Sequence, residues 1–251
     1  MLTRFSKLGQ KKYRDQEGLF IAEGLRTVRE LIDSLPEPEM LVALIFDEGA
    51  YESMRWFSGF RGKIFRADRD AFARLAQTTN SQGVLGVFKK QVAERFVPGT
   101  RSLIVALDDV QDPGNVGTII RTAAWFGADA VICGEGTADL YNAKAVRSSA
   151  GSIYAVRYHP VKDLAAELER LQGEGFMVAA ASLDGQDYRS YGQWPERRIL
   201  VIGNEANGIG QPVLDLADRL VLIPHAGERP NVESLNASVS AAILLAGLSF
   251  V

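Results

Sequence analysis

A cation and an amide are spaced so that they could hold a phosphate and an adjacent hydroxyl group. Asn115 lies in the run Asp112-Pro113-Gly114-Asn115-Val116-Gly117, and Arg121 follows on a predicted helix. Arg121 lies four residues beyond Gly117, so its side chain is predicted to point back toward the loop that holds Asn115. A guanidinium has a planar set of donors that suits phosphate oxygens, which makes this pair a candidate for binding a phosphorylated ligand.

Two later segments carry further candidate residues. The run GNEANGIG begins at Gly203, where a glycine lets the backbone approach a ligand closely. Ser234 or Asn236 could cap the last helix, whose first N–H groups could then bind an anion or a carboxylate. Each segment taken alone also suits an ordinary turn or helix cap, so the combination is what indicates a site.

The elements that must position these residues differ between the two halves of the chain. In the second half, buried strands alternate with helices, which predicts an open, doubly wound parallel α/β sheet with ligands beyond the carboxyl ends of its strands. The first half has shorter α/β units, and a polar Pro-Gly segment separates the halves. The predicted strands are 19–22, 41–46, 63–66, 84–89, 103–107, 130–133, 155–158, 177–182, 198–202 and 220–223. The predicted helices are 25–35, 68–76, 117–126, 143–150, 161–172 and 236–250. The predicted domains are 1–92 and 102–251, joined by a linker at 93–101.

Several classes of protein do not fit the composition and motifs. The chain lacks the G-x-G-x-x-G run of dinucleotide-binding oxidoreductases and the G-x-x-x-x-G-K-[ST] run of P-loop NTPases. A single cysteine, Cys133, and two distant histidines predict that there is no zinc or iron site. No apolar stretch is long enough for a membrane span, and the first residues lack an apolar signal core. We therefore expect a cytoplasmic protein without metal.

A basic stripe opens the chain and is a candidate contact for nucleic acid. The first 14 residues carry five basic and no acidic side chains. Lys11, Lys12 and Arg14 are predicted to contact the phosphates of RNA. The net charge of −3 neither supports nor opposes such a partner, because the distribution of charge matters more than its sum.

Three segments in the second half resemble, in order, the motifs of the SpoU (TrmH-like) family of RNA ribose 2′-O-methyltransferases. The first is Asp109 to Ala123, the second Leu200 to Ile209, and the third runs from Ile223 and Pro224 through Gly227 to Glu233–Ala242. The resemblance covers about Ser102 to Leu248. Residues 5–90 more loosely resemble the substrate-binding domain often found in front of this catalytic domain.

This resemblance implies a fold, a cofactor and a set of site residues. The first domain would be a small, ribosomal-protein-like α/β/α sandwich. The second would contain a deep trefoil knot formed by about residues 195–245, and family members usually form homodimers through it. The cofactor would be S-adenosylmethionine and the substrate RNA, with rRNA favoured by the fused first domain. The expected cofactor-binding residues are Ile202, Gly203, Asn204, Ile223 and Leu235. The expected catalytic residues are Asn115, Arg121, Glu205, Ser234 and Asn236.

In the mechanism that the resemblance implies, the residue matching Arg121 activates a ribose hydroxyl. An arginine with a pKa above about 12 is a poor base, so we expect Arg121 to clamp the adjacent phosphate and stabilise the developing alkoxide while phosphate or water takes the proton. Asn115 would orient Arg121 or the ribose, and Glu205 would hold RNA or fix its own loop. Two alternatives stay open: methylation of tRNA, or a non-catalytic RNA-binding or ribosome-assembly factor on the same scaffold.

Overall fold

The computed structural model describes residues 2–57, 59–60, 62–78, 81–92, 97–225 and 233–249. Two compact units divide the chain. The first contains Met1–Val92 together with Asp139–Ala155, and the second contains Ala93–Ala138 and Val156–Val251. This division differs from the predicted domain ranges in giving the segment 139–155 to the first unit. The first half of the predicted linker, 93–96, lies outside the described residues.

A mixed sheet of four strands forms the centre of the first unit, in the order β1-β4-β2-β3. Its strands are β1 (Leu19–Glu23), β2 (Leu41–Asp47), β3 (Lys63–Ala67) and β4 (Val84–Lys89). Only β2 and β3 pair in parallel, while β4 runs antiparallel to both β1 and β2. The helices of this part of the chain are α1 (Leu2–Phe5), α2 (Lys11–Glu17), α3 (Leu25–Asp33) and α4 (Arg69–Ala73).

Apolar side chains are buried on both faces of this sheet. On one face, Ile21, Ile45 and Val87 pack with Phe5 and Phe72, which come from α1 and α4. On the other, Phe20 stacks on Phe88 with ring centroids 5.6 Å apart. Alternate residues of a strand point to opposite faces, so this two-sided burial explains why β1 is apolar at nearly every position.

The segment 139–155 completes the first unit. It contains α6 (Ala143–Ser148), and Tyr141 is buried there with its ring centroid 4.9 Å from that of Phe20. The Tyr141 hydroxyl accepts a hydrogen bond from the Gln91 backbone at 3.0 Å, and the Ser34 hydroxyl donates to the Gly151 carbonyl at 2.8 Å. The first unit therefore draws part of its core from residues that lie after β6 in the sequence.

All strands of the second unit are parallel, in the order β10-β8-β9-β5-β6-β7. The strands are β5 (Ser102–Asp108), β6 (Ala130–Cys133), β7 (Arg157–Pro160), β8 (Met177–Asp187), β9 (Arg197–Gly203) and β10 (Arg219–Leu222). The helices are α5 (Pro113–Trp125), α7 (Leu164–Gly173), α8 (Gln211–Leu214) and α9 (Ala237–Leu248). The predicted α/β class and parallel sheet are confirmed.

The strand order creates a crevice beside β5. From β5 the chain moves outward through β6 and β7, and it later returns to place β9 on the opposite side of β5. This reversal is the topological switch point at which open α/β sheets bind ligands, outside the carboxyl ends of the strands. The loops after β5 and β9 are therefore brought to the same place.

Several predicted boundaries were wrong by two to five residues. The strand expected at 177–182 continues to Asp187, and the helix expected at 161–172 begins at Leu164. The helix expected at 117 begins at Pro113, because Asp112 caps it and a proline suits the first helical position. The strand expected at 155–158 lies at Arg157–Pro160, and a short 3₁₀ helix, Ser152–Tyr154, precedes it.

Within the described ranges, no helix combines the length and apolar character that crossing a membrane requires. In the same part of the chain, no group of three or more histidine, cysteine or acidic side chains could hold a metal ion.

Candidate active site

The site begins where β5 and β9 end. Asp108 and Gly203 are register partners at the last positions of these neighbouring strands. The Asp108 carboxylate accepts a hydrogen bond from the Gly210 backbone at 2.7 Å, which closes the loop after β9 against the end of β5. The first and second motif segments thus form one surface.

The start of α5 positions Asn115. Asp112 accepts hydrogen bonds from the backbone N–H groups of Gly114 at 2.5 Å and Asn115 at 3.3 Å. Asn115 therefore lies in the first turn of a capped helix and not in a loop, as the sequence had suggested. Arg121 is six residues further on, which is about 240° around a helix of 3.6 residues per turn. The two side chains leave the helix in different directions, and no hydrogen bond joins them among the described contacts.

A chain of hydrogen bonds joins residues from all three motif segments. Asn236 Nδ2 donates to Asn115 Oδ1 at 3.0 Å, and Asn115 Nδ2 donates to Glu205 Oε1 at 2.8 Å. Their positions are separated by up to 121 residues in the sequence. The fold therefore brings three of the five predicted catalytic residues into direct contact.

The cap of α9 determines how the two amide side chains of this hydrogen-bonded network are oriented. Asn236 Oδ1 accepts from the Ser238 backbone at 2.9 Å, the Ser238 hydroxyl at 2.6 Å and the Val239 backbone at 3.3 Å. An oxygen is required there, so Nδ2 of Asn236 faces Asn115. Asn115 must then present its oxygen to Asn236 and its nitrogen to Glu205.

Glu205 is held in its ionised form by these donors. Partial burial alone would raise its pKa, but hydrogen bonds from Asn115 and from the backbone of Glu205, Gln111 and Asp112 outweigh it, and the pKa is lowered. The Gln111 backbone donates to Glu205 Oε2 at 3.3 Å. Glu205 is thus an anchor for the first motif segment and a weaker base than an ordinary glutamate.

Asn204 fixes the loop that carries Glu205. It is 8% exposed, and its Nδ2 donates to the backbone oxygen and to Oδ2 of Asp109, both at 2.9 Å. Its Oδ1 accepts from the backbone of Ala206 at 2.8 Å and Asn207 at 3.0 Å. All polar atoms of this side chain are used within the loops.

Sequence reasoning missed Asp109 and Gln111, which support this arrangement. Asp109 has a φ of 55°, in the left-handed region that few residues other than glycine adopt. Its contacts with Asn204 hold it there. Two consecutive carboxylates at the carboxyl end of a predicted buried strand, Asp108-Asp109, were the available signal.

The remaining residues predicted to bind the cofactor lie at or after the ends of β9 and β10, or directly before Asn236. A Cβ atom at Gly203 would come within 2.4 Å of the Gly208 backbone, so the loop can fold back only over a glycine. Ile202 is buried in the sheet at 3% exposure. Ile223 is half-buried, and Leu235 leaves 47% of its surface exposed. Leu235 offers apolar surface directly before Asn236, and Ile223 offers it directly after β10.

Arg121 and Ser234 are exposed. Neither side chain forms a hydrogen bond or an ion pair with a residue that the structure describes. A guanidinium with unused donors on the helix that carries Asn115 is available to an anionic ligand. The loop 226–232, which includes Gly227 of the third motif, lies outside the described residues.

The three residues predicted to contact RNA separate into two groups. Lys11 and Lys12 are exposed on α2. Arg14 is 4% exposed, donates to Asp139 at 2.6 and 3.0 Å, and also donates to the carbonyls of Leu8 and Gly9. Its donors serve the interior of the first unit, so Arg14 is removed from the candidate RNA contacts.

The site has the means to bind and orient a substrate. It offers an exposed cation, a fixed row of amides ending on an ionised carboxylate, a hydroxyl, and apolar surface at a switch point. Groups of this kind can align a bound substrate and stabilise negative charge that develops on it.

Family models match both parts of the chain. The model described as the SpoU rRNA Methylase family matches residues 102–246. The model described as an MRM3-like substrate binding domain matches residues 3–86. The first match alone covers more than half of the chain and includes every member of the hydrogen-bonded network.

Individual relatives match over nearly the whole chain. The 23S rRNA (guanosine(2553)-2′-O)-methyltransferase RlmP of Bacillus subtilis is 32% identical over 244 residues, which cover 96% of this chain and 92% of the relative. The 23S rRNA (guanosine-2′-O-)-methyltransferase RlmB of Neisseria meningitidis is 28% identical, over 83% of this chain and 86% of the relative. A solved AdoMet-bound rRNA methyltransferase from Sinorhizobium meliloti is 29% identical with a TM-score of 0.80, over 98% of this chain and 92% of that one.

Proposed function

Because the chain belongs to the SpoU family of RNA 2′-O-ribose methyltransferases, whose cofactor is S-adenosylmethionine, we propose that it methylates a ribose 2′-hydroxyl of 23S rRNA. The observation that carries this proposal is the network Asn236–Asn115–Glu205, which joins the three family motifs at the switch point. Arg121 is exposed on the helix that carries Asn115. The rRNA target is supported by the activities of the relatives from B. subtilis and N. meningitidis, both of which are 23S rRNA methyltransferases.

The residues predicted to bind the cofactor suit an adenosyl group with a charged amino-acid end. Leu235 and Ile223 would hold the apolar part of the cofactor, while the backbone at Gly203 would approach it closely. Asn204 would act indirectly, because its side chain is committed to the loops, and Ile202 would support Gly203 from the sheet. When bound, S-adenosylmethionine supplies a methyl group already activated on a sulfonium.

Arg121 would bind the phosphate next to the target ribose and stabilise negative charge on its 2′-oxygen. A guanidinium does not give up its proton near neutral pH, so phosphate or water would accept the proton. Asn115 would orient the ribose, since its own orientation is fixed by Asn236 and Glu205. Ser234, in the Glu233–Ala242 part of the third motif, would complete the pocket for the reacting hydroxyl.

The deep trefoil knot is part of this proposal. It would be formed by about residues 195–245 and would cradle the cofactor between the second and third motif segments. Family membership supports it, because knots are too rare to be inferred from other grounds.

The two predicted domains would divide the work. Residues 1–92 would bind RNA, 93–101 would link the two domains, and 102–251 would carry out methyl transfer, in keeping with family matches at 3–86 and 102–246.

Lys11 and Lys12 would contact RNA phosphates. Replacing both by Ala should weaken RNA binding and flatten its dependence on salt, whereas Lys162→Ala should not.

A homodimer formed through the second domain is also proposed. Trp125 on α5 is 84% exposed, and Val239 on α9 is 46% exposed. Both residues lie on helices that pack together, so they are candidates for an apolar contact with a second copy of the chain. Light scattering of the purified protein should give twice the mass of one chain. Trp125→Glu should reduce the measured mass to that of one chain.

The test of function combines cofactor binding with mapping of the product. The protein should bind S-adenosylmethionine in calorimetry and install one 2′-O-methyl group in a 23S rRNA transcript. Arg121→Lys keeps the charge but loses the planar fork, so it should retain cofactor binding and lose most of its turnover. Methylation of tRNA alone would correct the target, and cofactor-independent RNA binding without any methylation would favour an assembly factor.

A further inference from the structure

Trp56 is held at the surface of the first unit by its neighbour. The 3₁₀ segment Glu48–Phe57 buries Phe57 against Phe46, with ring centroids 5.7 Å apart. Trp56 points away from this contact and leaves 51% of its surface exposed. An indole that is half exposed contributes less to stability through burial than a buried one does. The packing of the first unit therefore does not explain why a tryptophan stands at this position.

Two guanidinium groups lie against the Trp56 ring. The Arg29 guanidinium carbon, from α3, is 4.6 Å from the ring centroid, and that of Arg55 is 5.6 Å away. Both arginines are exposed. Such distances are within the range of cation–π attraction, which orders the three side chains into one cluster.

The two arginines of this cluster differ from others in the unit in forming no described ion pair. Arg4, Arg14 and Arg26, in the same unit, pair with Glu17, Asp139 and Glu30. Arg29 and Arg55 have no carboxylate partner among the residues that the structure describes. Their N–H donors therefore remain available to an anion.

The exposed part of the Trp56 indole, together with two guanidinium groups that lie against the ring and form no described ion pair, matches an unpaired nucleotide. Bases of single-stranded RNA stack on aromatic side chains, and arginine can both bind phosphate and stack on a base. A duplex keeps its bases inside and does not offer such a stacking surface.

We propose that Trp56, Arg29 and Arg55 form a site for an unpaired RNA nucleotide, with the base on Trp56 and its phosphate bound by the arginines. The proposal rests on the proposed function, because it makes this cluster a second contact for the RNA substrate, separate from the methyl-transfer site. A protein partner could also use tryptophan and arginine, but two positive charges without acidic partners favour a polyanion.

The test uses the full-length protein and two labelled probes of equal length, a single-stranded oligoadenylate and an RNA duplex. Trp56→Ala should weaken binding of the single strand about tenfold, while Trp56→Phe keeps most of the affinity. Replacing Arg29 and Arg55 by Gln should weaken binding and reduce its salt dependence. Arg26→Gln, on the same helix but paired with Glu30, is the matched control and should have no effect.

The possible outcomes distinguish failure of this proposed nucleotide site from failure of the proposed methyl-transfer function. Unchanged single-strand affinity in Trp56→Ala would overturn the site and point to a protein partner, while normal methylation of the 23S rRNA transcript by that variant would leave the proposed function intact. Equal loss for both probes, or equal loss in Arg26→Gln, would reveal a structural effect and also overturn it. A wild-type protein that neither binds nor methylates RNA would overturn both proposals.

Discussion

At the scale of single residues, the Asn236 side chain has two roles: it caps the N-terminus of α9 and it takes part in the hydrogen-bonded network of the site. Its oxygen accepts from the first N–H groups of α9, and its nitrogen donates to Asn115. The need to cap α9 therefore determines which way Asn115 faces, and through Asn115 it determines the contact with Glu205. A structural requirement at one helix sets the geometry of the proposed catalytic residues.

Asn236→Asp separates these two roles. Aspartate keeps the capping oxygen, so stability should stay within about 0.5 kcal/mol of the wild type. The second carboxylate oxygen would face Asn115 Oδ1 and remove a donor, which should lower turnover on the order of tenfold or more. Thermal unfolding and the initial rate of RNA methylation measure the two effects. Asn236→Ala, which loses the cap as well, should also lose about 1 kcal/mol of stability; wild-type turnover in Asn236→Asp would exclude the proposed role of its donor.

Glu205 should make stability depend on pH in the acid range. Its pKa is lowered in the folded protein, so its contribution is fully present above its unfolded pKa of about 4.3 and is lost as pH falls through the folded value. Glu205→Gln removes the charge but keeps an oxygen for Asn115. The difference in melting temperature between the two proteins should be constant from about pH 6 to 7 and shrink below about pH 4. A difference that grows in acid would contradict an ionised anchor.

At the scale of elements, the bounds of a strand were easiest to predict from the sequence where every residue of the strand is buried. The four residues of β6 are all buried, and the prediction of 130–133 was confirmed to the residue. The start of α5 was wrong by four residues because Asp112-Pro113 suits both a turn and a helix start, and only its cap bonds distinguish the two. Arg14 was misplaced because its partner, Asp139, lies 125 residues away. Local pattern therefore predicted the strands, whereas contacts between distant segments decided the roles of charged and amide side chains.

The turn at the end of β9 depends on the absence of a side chain at Gly203. A Cβ there would lie 2.4 Å from the Gly208 carbonyl carbon and 2.5 Å from its oxygen, both of which are backbone atoms. Gly203→Ala should therefore displace the loop, cost about 1–3 kcal/mol of stability and greatly weaken S-adenosylmethionine binding. Calorimetry and urea unfolding test this directly. Gly173→Ala, where a Cβ would meet nothing within 4 Å, is the control, and unchanged cofactor affinity in Gly203→Ala would show that the loop can yield.

At the scale of the whole molecule, sequence order and structural unit do not coincide. The SpoU family match spans 102–246 without interruption, yet the segment 139–155 contributes its buried side chains to the first unit. Asp139 binds Arg14, and Tyr141 covers Phe20. A cut at residue 92 would therefore remove part of the core that the first unit needs.

Asp139→Asn in the full chain tests this dependence with the smallest change. Asparagine keeps an oxygen for the Tyr141 backbone N–H, which Asp139 Oδ1 accepts at 3.0 Å, but it removes the charge that faces Arg14. The pair is almost fully buried, with 5% and 10% of the two side chains exposed, so an uncompensated guanidinium should cost about 3–5 kcal/mol. Hydrogen exchange should show the loss in β1 and β4, although the substitution lies within the range of the methylase match. The exposed Asp184→Asn is the control, and a loss of protection confined to the second unit would mean that the first unit is complete without residues 139–155.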